Sequence, residues 1–118
     1  MRQDIYEMDE ARRLAVLAAV RQHCECRNWL LLAVHVRTNH VHVVVDAPVA
    51  PEKALNEFKA YASRHLNRIG LDPPDRHRWS RHGSTRYLWK REEVENAIAY
   101  VADRQGDPMA LYVNEHRW

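Results

Sequence analysis

Disulfide chemistry has almost nothing to work with in this chain. Two cysteines occur in 118 residues, Cys24 and Cys26, and a single intervening residue is too short for an ordinary structural bridge. There is no second pair to complete a four-cysteine zinc site. The expected state is two reduced thiols at a helix end, as in a reducing compartment. Long apolar runs are missing too. None approaches the roughly 20 residues that a membrane-spanning helix needs, and Met1 to Glu10 is polar and acidic, unlike a signal peptide. These absences set the expected location in the cytoplasm, with no membrane partner. Repeats and low-complexity tracts are also lacking. The net charge of +2 is too small to establish a nucleic-acid partner by itself.

What is present is an ordinary globular composition, with 46% apolar and 29% charged residues. The length suits one domain over residues 1–118 with a modest core. From Met8 to about His23, Ala11, Leu14, Ala15 and Ala18 recur at helical spacing beside a second row of Val16, Leu17 and Val20; Asp9 is placed to cap the start. Asn28 interrupts this pattern. Trp29 to Val36 is a nearly continuous apolar run rich in strand formers, Arg37-Thr38-Asn39 a short polar turn, and His40 to Val45 a second strand, which together predict a hairpin. Pro48 and Pro51 separate it from a helix over Glu52 to Ile69, with Leu55, Phe58, Ala62, Leu66 and Ile69 on one face. Gly70 and Pro73-Pro74 end that helix. Asp75 to Ser84 reads as a loop, Thr85 to Trp89 as a short strand, and Glu92 to about Asp103 as a last helix with Val94, Ala97, Ile98 and Val101 inward. Helices sharing a chain with hairpin-paired strands predict an α+β fold, an antiparallel sheet with helices packed on it.

Charge is distributed unevenly. Arg76, Arg78, Arg81, Arg86, Lys90 and Arg91 crowd one stretch, while acidic residues collect in the first ten positions and from Glu92 to Glu95. A local basic segment of this kind can serve as a phosphate footprint in a nearly neutral chain. It is equally the pattern of a solvated loop.

Eight histidines make a lone His-x-His a weak signal. The setting of His40-Val41-His42 adds weight. Residues two apart on a strand share a face, so both imidazoles project together while Val41 packs on the other side. Two imidazoles on one rigid face suit a divalent metal. On the following helix, Tyr61 and His65 lie one turn apart at the flank of the apolar face. If that helix packs on the histidine side of the sheet, it presents a phenol and a third imidazole to the pair. The bland alternatives are an exposed histidine pair and a half-buried packing tyrosine. His23, His35, His77, His82 and His116 show no partner pattern.

Asn39-His40-Val41-His42-Val43-Val44-Val45 resembles the His-hydrophobe-His strand of the HUH endonucleases. With the helix containing Tyr61, and with Trp89 followed by Ala97-Ile98-Ala99-Tyr100-Val101, the chain is similar to the single-tyrosine transposases, including the REP-associated ones, from about Met8 to Tyr112. The resemblance implies a ferredoxin-like sandwich. It implies a divalent metal, Mg²⁺ or Mn²⁺, on His40, His42 and His65, where many relatives carry glutamine in place of His65. It further implies attack by Tyr61 on single-stranded or hairpin DNA, leaving a 5′-phosphotyrosine and a free 3′-hydroxyl. Relatives usually begin with a strand, whereas here only Met1 to Met8 precede the first helix. For DNA contact the expected residues are Arg37, Arg64, Arg68, Arg76, Arg78, Arg81, Arg86 and Lys90. Trp79 would stack on bases, and so would Trp89. Both a monomer and a homodimer fit the chain length between His42 and Tyr61.

Two other functions fit the same residues. A non-cleaving descendant would grip hairpin DNA without cutting it. A metal-dependent hydrolase would activate water on the histidines and survive loss of the tyrosine without forming a covalent adduct.

Overall fold

The structure, a computed structural model, describes residues 3, 5–79, 85–104 and 106–116. Its elements run α1 (Glu10–Arg27), β1 (Leu30–Val36), β2 (Val41–Asp46), α2 (Pro51–Arg68), α3 (Arg91–Asp103) and β3 (Ala110–Val113). The fold is α+β, a three-stranded antiparallel sheet in the order β2-β1-β3.

Local chemistry explains the boundaries. The Asp9 carboxylate accepts a hydrogen bond from the Arg12 backbone N–H at 3.0 Å and so satisfies one free donor at the start of α1. Asn28 ends α1 in the left-handed region (φ 59°), and the Trp29 N–H folds back to the Cys24 carbonyl at 2.8 Å. Pro51 opens α2, where its missing N–H costs nothing, and Gly70 follows its end at φ +74°. β1 is the central strand, and Leu31 to Val36 are all buried. It pairs His35 with His42 on β2 and with Leu111 on β3. A register slip between Leu31 and Ala33 sends both Leu32 and Ala33 to the same side.

The sheet separates two cores. On one side Val34 and Val36, with Val41, Val43 and Val45, meet Ala15, Val16, Ala19 and Val20 of α1 and Phe58, Ala62 and Leu66 of α2. On the other side Leu32, Ala33 and Val44 meet Ile98 and Val101 of α3. α2 leans on α1, so that face carries two helices and the opposite face one.

Thr85 to Trp89, expected as a strand, is irregular. Leu88 points into the smaller core while Tyr87 and Trp89 point outward, and the free edge of β1 is taken by Ala110–Val113 instead. The N-terminal segment forms no strand among the described residues. It runs as a strap, tied by the Met8 N–H to the Thr38 carbonyl at 2.7 Å. Both cysteines are free, Cys24 buried and Cys26 exposed. Among the described residues no helix is long and apolar enough to cross a membrane.

Candidate active site

The valine alternation of β2 decides where its histidines go. With Val41, Val43 and Val45 turned toward α1 and α2, the period-two geometry turns His40 and His42 toward α3. Their rings lie nearly parallel, 8° apart in plane, with centroids 6.2 Å apart. His40 is exposed and His42 half-buried. Asn39 Oδ1 accepts from His40 Nδ1 at 2.6 Å, which places the proton on Nδ1 and leaves the Nε2 lone pair outward. A metal-binding histidine needs this kind of support behind it. Burial, then the positive fields of His40, His35 and Arg37, hold the His42 pKa below its usual value, so its ring stays neutral and available as a donor. In donor chemistry the pair suits a divalent cation. Among the described residues no third His, Cys, Asp or Glu joins them, so further ligands to such an ion would be water or phosphate oxygen.

The tyrosine beside this pair is Tyr100, on α3. Its ring meets His42 edge-on, with centroids 6.2 Å apart and planes at 82°, and it is 50% exposed. Ile98 and Val101 bury the inner face of α3 and leave Tyr100 at the rim, over β2. Behind it lies His35, fully buried on the central strand. His35 Nδ1 donates to the Val101 carbonyl at 3.0 Å, and Nε2 accepts the Met109 N–H at 3.0 Å. This imidazole satisfies a carbonyl in the last turn of α3 and fixes the start of β3, thereby holding the residue next to Tyr100. In the sequence His35 shows no partner pattern. Its signal was its phase, since it shares a parity with Ala33 rather than with Val34 and Val36.

Tyr61 and His65 do not reach the pair within one chain, because α2 lies across the sheet from it. Tyr61 packs against the larger core with its ring 5.1 Å from that of His23, and the Arg64 guanidinium lies 5.9 Å from its centroid. His65 is engaged with Arg68 on the same helix at 3.4 Å. Arg64 and Arg68 therefore also lie away from the histidines. The expected meeting fails because the apolar stripe of α2 packs with α1 on the valine face of the sheet, opposite the histidines.

The predicted DNA contacts divide similarly. Arg78 is a buried internal tie: its side chain is 2% exposed, bonded to Asp72 at 3.2 Å and to Asn67 at 2.7 Å. The Trp79 indole N–H donates to Ser63 Oγ at 2.7 Å and to the Lys59 carbonyl. Arg76 bonds Gln3 at 2.8 Å and covers the Tyr6 ring. These three residues fasten the N-terminal strap and the loop after α2 instead of forming an open phosphate footprint. Arg81 lies outside the described residues. Arg37 stays near the pair, with Nη1 donating to the Asp107 carbonyl at 2.9 Å. Arg86 and Lys90 are exposed on the approach to α3, on either side of Tyr87 and Trp89.

No curated protein and no solved structure matches the chain. The profile of the family described as "Transposase IS200 like" does match, over residues 2–103, which span the histidine strand and all three helices. With most of its length covered by that profile, the chain belongs to the IS200-like transposase family.

Proposed function

We propose that this transposase cuts and rejoins single-stranded DNA through a tyrosine nucleophile, and that the nucleophile is Tyr100. The contact of the Tyr100 ring with His42, beside His40 on one face of β2, carries the reading. It supports Tyr100 over Tyr61 because a nucleophile must reach the phosphorus that the metal site engages.

His40 and His42 would hold a divalent cation, Mg²⁺ or Mn²⁺, which would supply charge neutralisation at the scissile phosphate. The chain's own groups do the rest. Arg37 adds positive charge on the same side of the sheet. Asn39 keeps the His40 ring oriented. His35 holds the last turn of α3, so the phenol is presented at a fixed place. Tyr100 Oη attacks phosphorus and forms the O–P bond, the P–O3′ bond breaks, and the tyrosine proton passes through solvent to the departing 3′-oxygen. The products are a 5′-phosphotyrosine and a 3′-hydroxyl. Attack by another strand's 3′-hydroxyl reverses these steps and releases Tyr100 with a new phosphodiester, so no outside energy source is needed.

The test is covalent trapping with Mn²⁺ and single-stranded hairpin DNA from the flanks of the protein's own gene, resolved on a denaturing gel. Wild type and Tyr61→Phe are expected to give a protein–DNA band that Tyr100→Phe lacks. A band lost in Tyr61→Phe and kept in Tyr100→Phe would overturn the assignment. Hairpin binding without any band would favour a non-cutting binder.

A further inference from the structure

Two large aromatic side chains stand in solvent at the opposite end of α3 from Tyr100. Trp89 is 80% exposed and Tyr87 53% exposed, and their rings stack on each other, 14° from parallel with centroids 5.2 Å apart. Leu88 between them takes the packing role, inserting into the smaller core with Val94 and Ala97. The pair is therefore not spent on the fold. Its backbone is held nonetheless: the N–H groups of Trp89 and Lys90 both donate to Glu93 Oε1, at 3.3 and 3.0 Å. This cap ties the pair to the first turn of α3, the helix that carries Tyr100. Arg86 and Lys90 flank the rings as exposed cations.

We propose that Tyr87 and Trp89 form a stacking platform for an unpaired base of the single-stranded DNA substrate, a few nucleotides from the scissile phosphate. The proposal rests on the DNA-cutting reading above and adds a second contact point to it. Chemistry selects the occupant. A preorganised aromatic pair between two cations offers stacking to a nucleobase and charge to its phosphates, the combination that sequence-tolerant single-strand binders use. Geometry sets the distance. Arg91 and Tyr100 are nine residues apart on one helix, or about 14 Å along its axis. That spans roughly four nucleotides at the 3.4 Å rise of stacked bases. Leu88 and His42 lie on the same side of the sheet, so a strand running along α3 meets both places without crossing the molecule.

The experiment uses the full chain carrying Tyr100→Phe, which keeps the DNA intact, and measures its affinity for a fluorescein-labelled oligothymidylate by anisotropy over a range of salt. Adding Trp89→Ala is expected to weaken binding by roughly tenfold without changing the salt slope. Trp89→Phe, which keeps a ring, is expected to restore most of the affinity. Lys90→Ala should instead lower the slope by about one unit. Trp89 is too exposed for these changes to threaten folding. Equal affinity for the parent and Trp89→Ala would overturn the platform, as would a Trp89→Phe no better than the alanine. Failure of the cutting reading is seen separately. It is the loss of the covalent band in wild type, and a protein that fails there can still show the Trp89 effect.

Discussion

Asp72 offers the sharpest test of how this fold is fastened. Its side chain is 7% exposed and accepts from the Tyr6 hydroxyl at 2.6 Å, Arg12 Nε at 3.0 Å and Arg78 Nε at 3.2 Å. Arg12 also donates to the Leu71 carbonyl. One carboxylate thus joins the N-terminal strap, α1 and the loop after α2. Asp72→Asn keeps the shape and removes the charge, leaving Arg78, 2% exposed, without its counter-ion. Breaking a buried pair in this way costs about 3–5 kcal/mol. With a urea m value near 2 kcal/mol per M, the unfolding midpoint should fall by about 2 M. The pH dependence has a definite sign. Burial pushes the Asp72 pKa up, but the bonds from Tyr6, Arg12 and Arg78 outweigh it and leave the folded value below the ordinary one. A depressed carboxyl pKa stabilises the fold above the unfolded value, near 3.9. That stability is lost as the pH falls through the lower folded value. The gap between wild type and Asp72→Asn should therefore be full at neutral pH and shrink below about pH 4. The assay is urea unfolding followed by tryptophan fluorescence at neutral and acid pH. A neutral-pH gap under about 1 kcal/mol, or one that does not change with pH, would refute the reasoning.

Two other outcomes follow from buried groups. His35→Leu removes a buried imidazole and strands its two partners, the Val101 carbonyl and the Met109 N–H. A loss of about 2–6 kcal/mol is expected at about 1–3 kcal/mol per unsatisfied group, together with weaker covalent trapping, and His35→Gln should recover part of each. Urea midpoints and the gel check this, and an unchanged midpoint would remove His35 from the support of α3. Burial pushes the Cys24 thiol up to about 11, whereas Cys26 is exposed. A thiol reagent at neutral pH should label the native protein once, at Cys26, and twice only after unfolding, as mass spectrometry will count.

Most secondary structure was legible because its signals are local. The Asp9 cap, Asn28, the polar turn at 37–39 and Gly70 mark boundaries that the structure places within a few residues. β3 escaped notice because four residues after a Gly-Asp-Pro turn form a pattern too short to stand out, and the alternation of Tyr87, Leu88 and Trp89 imitated a strand more convincingly. The basic stretch misled for a different reason. The acceptors that hold Arg76, Arg78 and Trp79 are Gln3, Asp72, Ser63 and Lys59, and Gln3 is more than seventy residues away from Arg76 in sequence. Composition shows a cation but not whether an acceptor already holds it.

The tyrosine that faces the histidine pair was the hardest residue to read, and parity explains why. The alternation of β2 fixes that His40 and His42 oppose Val41, Val43 and Val45, but it does not fix which helix covers which side. Both α2 and α3 present a tyrosine at the flank of an apolar stripe, so periodicity alone cannot choose between Tyr61 and Tyr100. The valines assign the faces only once their partners are known. They meet α1 and α2, the helices with the larger apolar faces, and the histidines are left to the remaining helix. α2 packs upon α1, on the valine face, so Tyr61 and the histidines lie on opposite faces of the sheet. Within one chain, the tyrosine that meets His42 is the one on α3. Trp89 sits just ahead of the other end of that helix, tied to its first turn through Glu93, so α3 would set the spacing between cutting and stacking.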